Sequence, residues 1–313
     1  MPASQSKAIV DKLLTGVSQK IMPQGYISEM ILPEKSVAQY SGKIGKYGNE
    51  HLRIVTTLTG GRKEHARVET QTRSSDTYSL ETHGLSDVVT KEDFHNVEKP
   101  FDARQDSTDL LTTMLWLGKE KGLADTLRST SVMTQNSTLS GTARWSDFTN
   151  SDPLGDGITA RKAVRAATGV RANTLILGPD VYDTLIYHPQ ILEKLGFKDN
   201  RAGLLSQTEL ARAFDVERVL VGDAVYNSAK QGQSDSIDDV WGTDAIFCLT
   251  ASKPGLRQKT LGYRFQLSGQ SPRQVYRGAL QNPPGSEEII VEDIYDQVLT
   301  DVTAGYLFKT AVA

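Results

Sequence analysis

The sequence predicts a mixed α+β fold, on three observations. Residues 153–196 alternate helix and strand patterns within a short span. Residues 106–127 carry one long amphipathic helix pattern. Much of the remainder, in 41–90 and again in 216–313, consists of β-forming runs separated by Gly, Pro and Asn turns.

Residues 1–40 combine a short amphipathic helix, with Ile9, Leu13, Leu14 and Val17 on one side, and an extended part interrupted by Pro23, Gly25 and Pro33. Ile27, Ile31 and Leu32 supply apolar anchors without a period. The segment reads as an arm laid over a surface, either a neighbouring copy or its own domain. Residues 41–99 form an excursion. Gly42, Gly45 and Gly48 recur every third residue and suit a flexible hairpin base. His51 to Leu58 alternates in β-formers, Gly60-Gly61 turns the chain, Ala66 to Arg73 is polar on both faces, and Tyr78 to Thr82 alternates again. A long hairpin that is polar on both faces buries no core of its own and needs a surface to lie on.

Asp106 is a candidate cap for the long helix. Leu110, Leu111, Met114, Leu115, Leu123 and Leu127 give it an apolar stripe, with Lys119 and Lys121 on the wet side and Gly118 and Gly122 as places to bend. A Ser/Thr-rich connector follows to Trp145. Asp152-Pro153 keeps the chain extended. Asp156 can cap a helix with Ala160, Ala163, Val164 and Ala167 inward, closed by Gly169. Thr174 to Leu177 reads as a buried strand, Pro179 opens a helix through Val181 and Leu185, and Ile191, Leu192 and Leu195 form a shorter one closed by Gly196. Ser206-Gln207-Thr208-Glu209 is a capping box. Val216 to Val221 is a strand, Tyr226 to Asp239 a polar loop, and Ala245 to Leu249 a strand. Short strands about Gly262 to Phe265, Arg273 to Tyr276, Ile289 to Val291, Ile294 to Asp296, Val298 to Val302 and Ala304 to Phe308 close the chain, with Asn282-Pro283-Pro284-Gly285 as the strongest turn.

With 313 residues, 38% of them hydrophobic and 23% charged, the chain has enough material for one large or two ordinary cores. No apolar run approaches the roughly 20 residues of a membrane helix, and Met1 to Lys20 shows no secretory signal. The single cysteine, Cys248, lies in an apolar run and reads as a buried thiol. A net charge of −3 argues against a module that grips DNA through a basic face.

Signals for chemistry are lacking. The five histidines, His51, His65, His83, His95 and His188, form no metal-binding spacing. His188 stands before Pro189 at a helix end, where it can serve the helix dipole. No nucleophile elbow, phosphate loop or dinucleotide fingerprint occurs. Asp235, Asp238 and Asp239, and Glu287-Glu288, read as solvated loop charges. No catalytic, cofactor-binding or metal-binding residue is assigned, and no cofactor is expected.

Trp145-Ser146-Asp147, Ser151-Asp152-Pro153, the helix to Gly169, Asn173-Thr174-Leu175, Gly178-Pro179-Asp180-Val181, Leu185 and His188-Pro189 resemble, in order and spacing, the middle of tailed-bacteriophage major capsid proteins, whose shell fold is shared with encapsulins. The resemblance covers most of the chain. It implies an N-terminal arm (1–40), an extended loop (41–99), a spine helix with a peripheral domain (100–150), a central α/β axial domain (151–265) and C-terminal strands returning to both domains (266–313). It further implies a virion protein that is not an enzyme, assembled in the host cytoplasm as pentamers and hexamers into an icosahedral head around double-stranded DNA held without sequence specificity. Expected partners are other copies and portal, scaffolding and decoration proteins, with no membrane; a nearly neutral wall suits packaged DNA. Expected contacts between copies are Ile27, Ile31, Lys46, Arg53, Arg62, Lys63, Arg67, Arg73, Asp235 and Asp238. Cross-linking through Lys43, Lys46 or Lys63 is not expected, since no partner asparagine or glutamate is marked. An encapsulin-like compartment and, further off, an α/β enzyme with an unmarked site are the alternatives.

Overall fold

The computed structural model describes residues 9–49, 52, 54, 73–96, 102–196, 205–230, 232–255, 258–269, 272–280 and 284–313. The expected strand at His51 to Leu58, and Arg53, Arg62, Lys63 and Arg67, lie outside the described residues or have no described side chain.

The chain begins with β1 (Ile9–Val10) and α1 (Lys12–Lys20), whose cap Asp11 accepts from the Leu13 and Leu14 amides. Then come α2 (Ser28–Ile31) and β2 (Glu34–Val37). β3 (Ser41–Tyr47) and β4 (Arg73–Ser79) form an antiparallel hairpin, in register from Ser41 opposite Ser79 to Tyr47 opposite Arg73. The glycine-rich base is therefore a strand. Gly42 is needed there because Tyr78 lies across it: a Cβ would come 2.7 Å from the Tyr78 hydroxyl. β5 (Glu81–Val89) and α3 (Lys91–Asn96) lead to α4 (Ala103–Leu127), an unbroken rod of 25 residues.

Asp102, not Asp106, caps α4, its carboxylate accepting from the Arg104 amide at 3.0 Å. The buried face also differs from the expected stripe. Leu111, Leu123 and Leu127 are inside, but Leu110 and Met114 are exposed. Ser107, Thr108, Thr112, Trp116, Lys119, Glu120 and Ala124 take the remaining buried places, and Lys119 is only 4% exposed. The apolar periodicity failed here because this helix packs half of its length on a polar interior.

Beyond β6 (Asn136–Thr138), α5 (Pro153–Thr168) starts at Asp152, whose carboxylate accepts from the Gly155 amide at 2.8 Å, with Pro153 at the first helical position. Asp156 lies inside the first turn and is not the cap. Gly169 ends the helix at φ 82°, as predicted. Next are β7 (Thr174–Leu177), α6 (Pro179–Ile186), α7 (Pro189–Lys194), α8 (Gln207–Phe214) with the expected capping box at Ser206 and Glu209, and β8 (Arg218–Val221). The predicted polar loop is a small hairpin, β9 (Val225–Asn227) against β10 (Ile237–Asp239). β11 (Ala245–Cys248), β12 (Gly262–Leu267), β13 (Arg273–Ala279), β14 (Glu287–Leu299) and β15 (Gly305–Lys309) complete the chain. β14 is one strand of 13 residues where the sequence suggested separate pieces.

Two sheets result. In the five-stranded sheet the order is β6-β15-β11-β7-β8. Its strands are apolar on both faces. Leu175, Leu177, Phe247 and Phe308 turn to α5, α6 and α8, whereas Ile176, Ile246, Cys248 and Leu307 join Leu123, Leu127, Ile31 and Trp241 on the other side. Full burial raises the Cys248 thiol pKa to about 12, so it stays protonated and inert. In the six-stranded sheet the path is β1-β13-β14-β12-β2, and β5 also pairs with the long β14, from Glu81 opposite Tyr295 to Val89 opposite Glu287.

Candidate assembly surfaces

The residues that carried the sequence resemblance are joints of the five-stranded unit. Trp145 is fully buried, and its indole nitrogen donates to the Asp156 carboxylate at 2.8 Å. Burial raises the Asp156 pKa, against the pull of that hydrogen bond. Asp147 accepts from the Thr149 and Asn150 amides and folds the connector into a turn. The Asn173 side chain both accepts from the Thr250 amide (2.9 Å) and donates to its carbonyl (2.8 Å), tying β7 to the segment after β11. Gly178 approaches Gly242 so closely that a Cβ would sit 1.7 Å from its carbonyl oxygen.

His188 is part of this frame and does not serve a helix dipole at a C-terminus. It is the N-cap of α7 and is completely buried. Ser151 Oγ donates to the Asp147 carbonyl at 2.7 Å, so it accepts from His188 Nε2 at 3.0 Å. Phe148 meets the imidazole edge-on. Burial lowers the His188 pKa, because the imidazolium would lose water, and the charge of Asp152 opposes this only in part. A serine that gives its proton to a backbone carbonyl beside a buried imidazole is a structural pair, not an activated nucleophile.

A second polar group lies where α4 crosses the six-stranded sheet. Lys119 Nζ is 3.2 Å from Glu29 and 3.5 Å from Asp293. Arg264 pairs with Glu29 and, at 2.8 Å, with Glu34. Arg273 stacks over Trp116 at 4.6 Å, and Lys119 lies 4.7 Å from the Tyr295 ring centre. Burial lowers the pKa of Lys119, Arg264 and Arg273, in each case opposed by Asp293. Next to this cluster the buried Glu120 carboxylate accepts from the Ile27 and Ser28 amides and from the Trp241 indole. No local pattern marks this network, since its members are up to 264 residues apart, from Glu29 to Asp293. Among the described residues no group of three His, Cys, Asp or Glu side chains could hold a metal ion.

What remains exposed is the periphery. The hairpin β3–β4 is rooted by Ile44, Tyr78 and Leu80 on Tyr263 and Phe265, with Tyr78 stacked on Phe265 at 4.8 Å and 6°. Lys46 is partly exposed on the same strand face as Ile44 and pairs with Asp76; Arg73 is at the hairpin's open end, opposite Tyr47. Past the hairpin, Asn49 donates to the Ala167 carbonyl and Leu52 lies over Gly169. The β9–β10 hairpin carries Asp235 and Asp238 in exposed positions, with Asp235 accepting from Asn227 at 2.7 Å. Burial, followed by Asp180, Asp223 and Asp238, raises the pKa of Asp239. Ile27 and Ile31 do not belong to this periphery. Both are buried in the chain's own core against Leu123 and Leu127 of α4, so neither side chain is open to a neighbour. The N-terminal helix likewise lies on its own chain: Leu14 packs with Leu111, Val275 and Ile289, and Ser18 bonds Thr112 at 2.8 Å, while Leu13 is 72% exposed.

Apolar cores with one buried ion cluster, sealed joints and exposed hairpins describe a building block. The family model for phage major capsid protein E matches residues 132–240, the stretch containing those joints. The major capsid protein of Burkholderia phage BcepMu is 27% identical over 310 residues, 96% of this chain and 96% of that protein. The chain is a homologue of phage major capsid proteins. A phage-related protein from Bordetella bronchiseptica RB50 has a similar structure over 97% of this chain and 98% of its own, with a TM-score of 0.74 at 26% identity. The capsid of cyanophage P-SCSP1u shares the fold, with a TM-score of 0.62 over 93% of this chain and 89% of that one, at 8% identity. The α+β shell fold predicted from sequence is therefore the one observed. Between the two shell readings, the full-length similarity to a phage major capsid protein supports the phage reading over the encapsulin one, which has the same fold.

Proposed function

We propose that this phage major capsid homologue self-assembles as pentamers and hexamers into an icosahedral head enclosing double-stranded DNA. The observation that carries the reading is the full-length match to a major capsid protein, on a fold whose described hairpins project from a closed core. Its mechanism is geometric. Each contact is weak, and closure of the shell makes the assembly strong. The five-stranded unit would gather around the symmetry axes, and α4 with the six-stranded sheet would form the periphery. The divisions at 40, 99, 150 and 265 belong to this proposal, as do contacts between copies at Lys46, Arg53, Arg62, Lys63, Arg67, Arg73, Asp235 and Asp238. So do a non-enzymatic role, assembly in the host cytoplasm, and portal, scaffolding and decoration partners.

Electron microscopy of the purified chain tests the reading. Closed shells, or rings of five and six, are the expected outcome; a uniform dimer or tetramer that never assembles, even with the phage's own scaffold, would overturn it. Deleting residues 50–70 is expected to leave a folded monomer that makes no shells, and normal shells from that variant would count against the hairpin as a brace. DNA inside the particles supports the phage head, whereas a packaged enzyme would support the compartment.

A further inference from the structure

Beside the root of the β3–β4 hairpin is an open groove of about 500 Å3. Lys35, Lys43, Lys46 and Lys259 line it, and Asp301 is the one carboxylate among its lining residues. This is a local excess of positive charge on a chain with 38 acidic and 35 basic residues. Lys259 lies 3.5 Å from Asp301, and Lys46 pairs with Asp76. Lys35 is held over the rings of Tyr263 and Phe265, 5.4 and 5.7 Å from their centres, so its position is fixed by packing rather than by an acid. Among the described residues Lys43 makes no ion pair, and it is exposed at the rim.

We propose that this groove is a contact between copies and receives carboxylate side chains from an acidic segment of a second chain; the inference rests on the shell-forming reading above. Charge complementarity carries it. Lys46 and Lys259 are each paired with an aspartate, but Lys35 and Lys43 make no ion pair among the described residues, so a carboxylate entering beside them gains their attraction. The concavity admits a few side chains. A DNA duplex, by contrast, presents a broad convex backbone that is met by cations spread over a face. Acidic segments are available on the same chain, as at Asp235 and Asp238, but they are separate in sequence and fold from the groove. The contact is therefore between unlike patches. Such heterologous contacts close into rings, as five- and six-membered capsomers require.

The test joins lysines to touching carboxylates. Particles assembled from an equal mixture of 14N- and 15N-labelled chains are treated with a zero-length carbodiimide and digested for mass spectrometry. Mixed-isotope peptide pairs linking Lys35, Lys43 or Lys46 to an Asp- or Glu-containing peptide are expected. Lys43→Glu, at an exposed position, is expected to keep the monomer's thermal transition and to lower the assembly yield about tenfold. Particles whose groove lysines link only within their own chain, or not at all, would overturn the inference and leave the shell reading intact. Failure of the unaltered chain to form any particle would remove both. Assembly unchanged in Lys43→Glu, with loss of duplex DNA retention instead, would overturn it in favour of a nucleic-acid surface.

Discussion

In the five-stranded sheet, Leu175, Leu177 and Phe247 face one apolar core and Ile176, Ile246 and Leu307 face another. Around the six-stranded sheet, Lys119 of α4 and the strand residues Arg264, Arg273 and Asp293 are buried as well, at 3–7% exposure against 0–1% for those apolar residues. One unit is held by shape and water exclusion, the other in part by balanced charge. Apolar packing tolerates a substitution that restores volume. A buried ion cluster does not, because each remaining charge keeps its desolvation cost once its partner is gone. The difference teaches where the chain is sealed by packing and where it depends on charge: α2, β2, α4 and β12 meet in part through ion pairs, whereas β7 and β11 share a backbone ladder whose side chains are buried in apolar cores.

The largest effects should separate the two. Phe247→Ala is expected to cost about 3–5 kcal/mol through its cavity, and Phe247→Leu less than about 1.5 kcal/mol. Lys119→Ala is expected to cost about 3–5 kcal/mol, and here Lys119→Met should recover little, since the buried Asp293 loses its ion pair while Glu29 keeps only Arg264. Urea unfolding of the four variants gives the comparison. A Lys119→Met chain as stable as the original would erase the contrast and reduce the cluster to packing.

The same chemical change can be placed in each unit at a second level. Gly178→Ala drives a methyl group into the Gly242 carbonyl, backbone against backbone, and should cost about 3 kcal/mol. Gly42→Ala meets the outer end of Tyr78, a side chain at the surface-proximal root of the hairpin, and should cost about 1 kcal/mol. Thermal unfolding of the two variants checks the order. Equal losses would mean that the hairpin root is as rigid as the sheet.

This contrast also explains what was legible in the sequence. The unit from Asp152 to Val221 is specified locally: Pro153, Gly169, Pro179, Gly196 and the Ser206 capping box lie at element ends, and Thr174 to Leu177 is apolar throughout. Errors there were single-turn shifts, as with Asp156 for Asp152. α4 was visible as a helix, but its inward face was not, because Thr108, Thr112, Lys119 and Glu120 are buried by partners far away in sequence. Ile27 and Ile31 read as contacts with a neighbour for a related reason: an apolar residue without a period carries no information on which surface covers it. Gly42, Gly45 and Gly48 suggested flexibility where a stacked Tyr78 requires the space. The assembly surfaces themselves leave no residue signature, since charge complementarity between copies is a property of two surfaces and not of a motif.

The smallest expected effect is a pH dependence confined to the sealed unit. His188 is buried, with its Nε2 proton committed to Ser151. Burial lowers its pKa in the folded chain below the ordinary value of about 6.5 that it regains on unfolding. Below that ordinary value the unfolded chain binds a proton that the folded chain does not. Stability is therefore unaffected by His188 above about pH 6.5 and falls as the pH drops from there toward the folded-state pKa. His188→Gln cannot titrate and should flatten that slope. Urea midpoints for both chains at pH 7.5, 6.5 and 5.5 provide the test, in a range above most carboxylate titrations. A decline of the same steepness in His188→Gln would place the pH response on groups other than His188, and would reverse the view that this buried imidazole is the titrating element of the apolar frame.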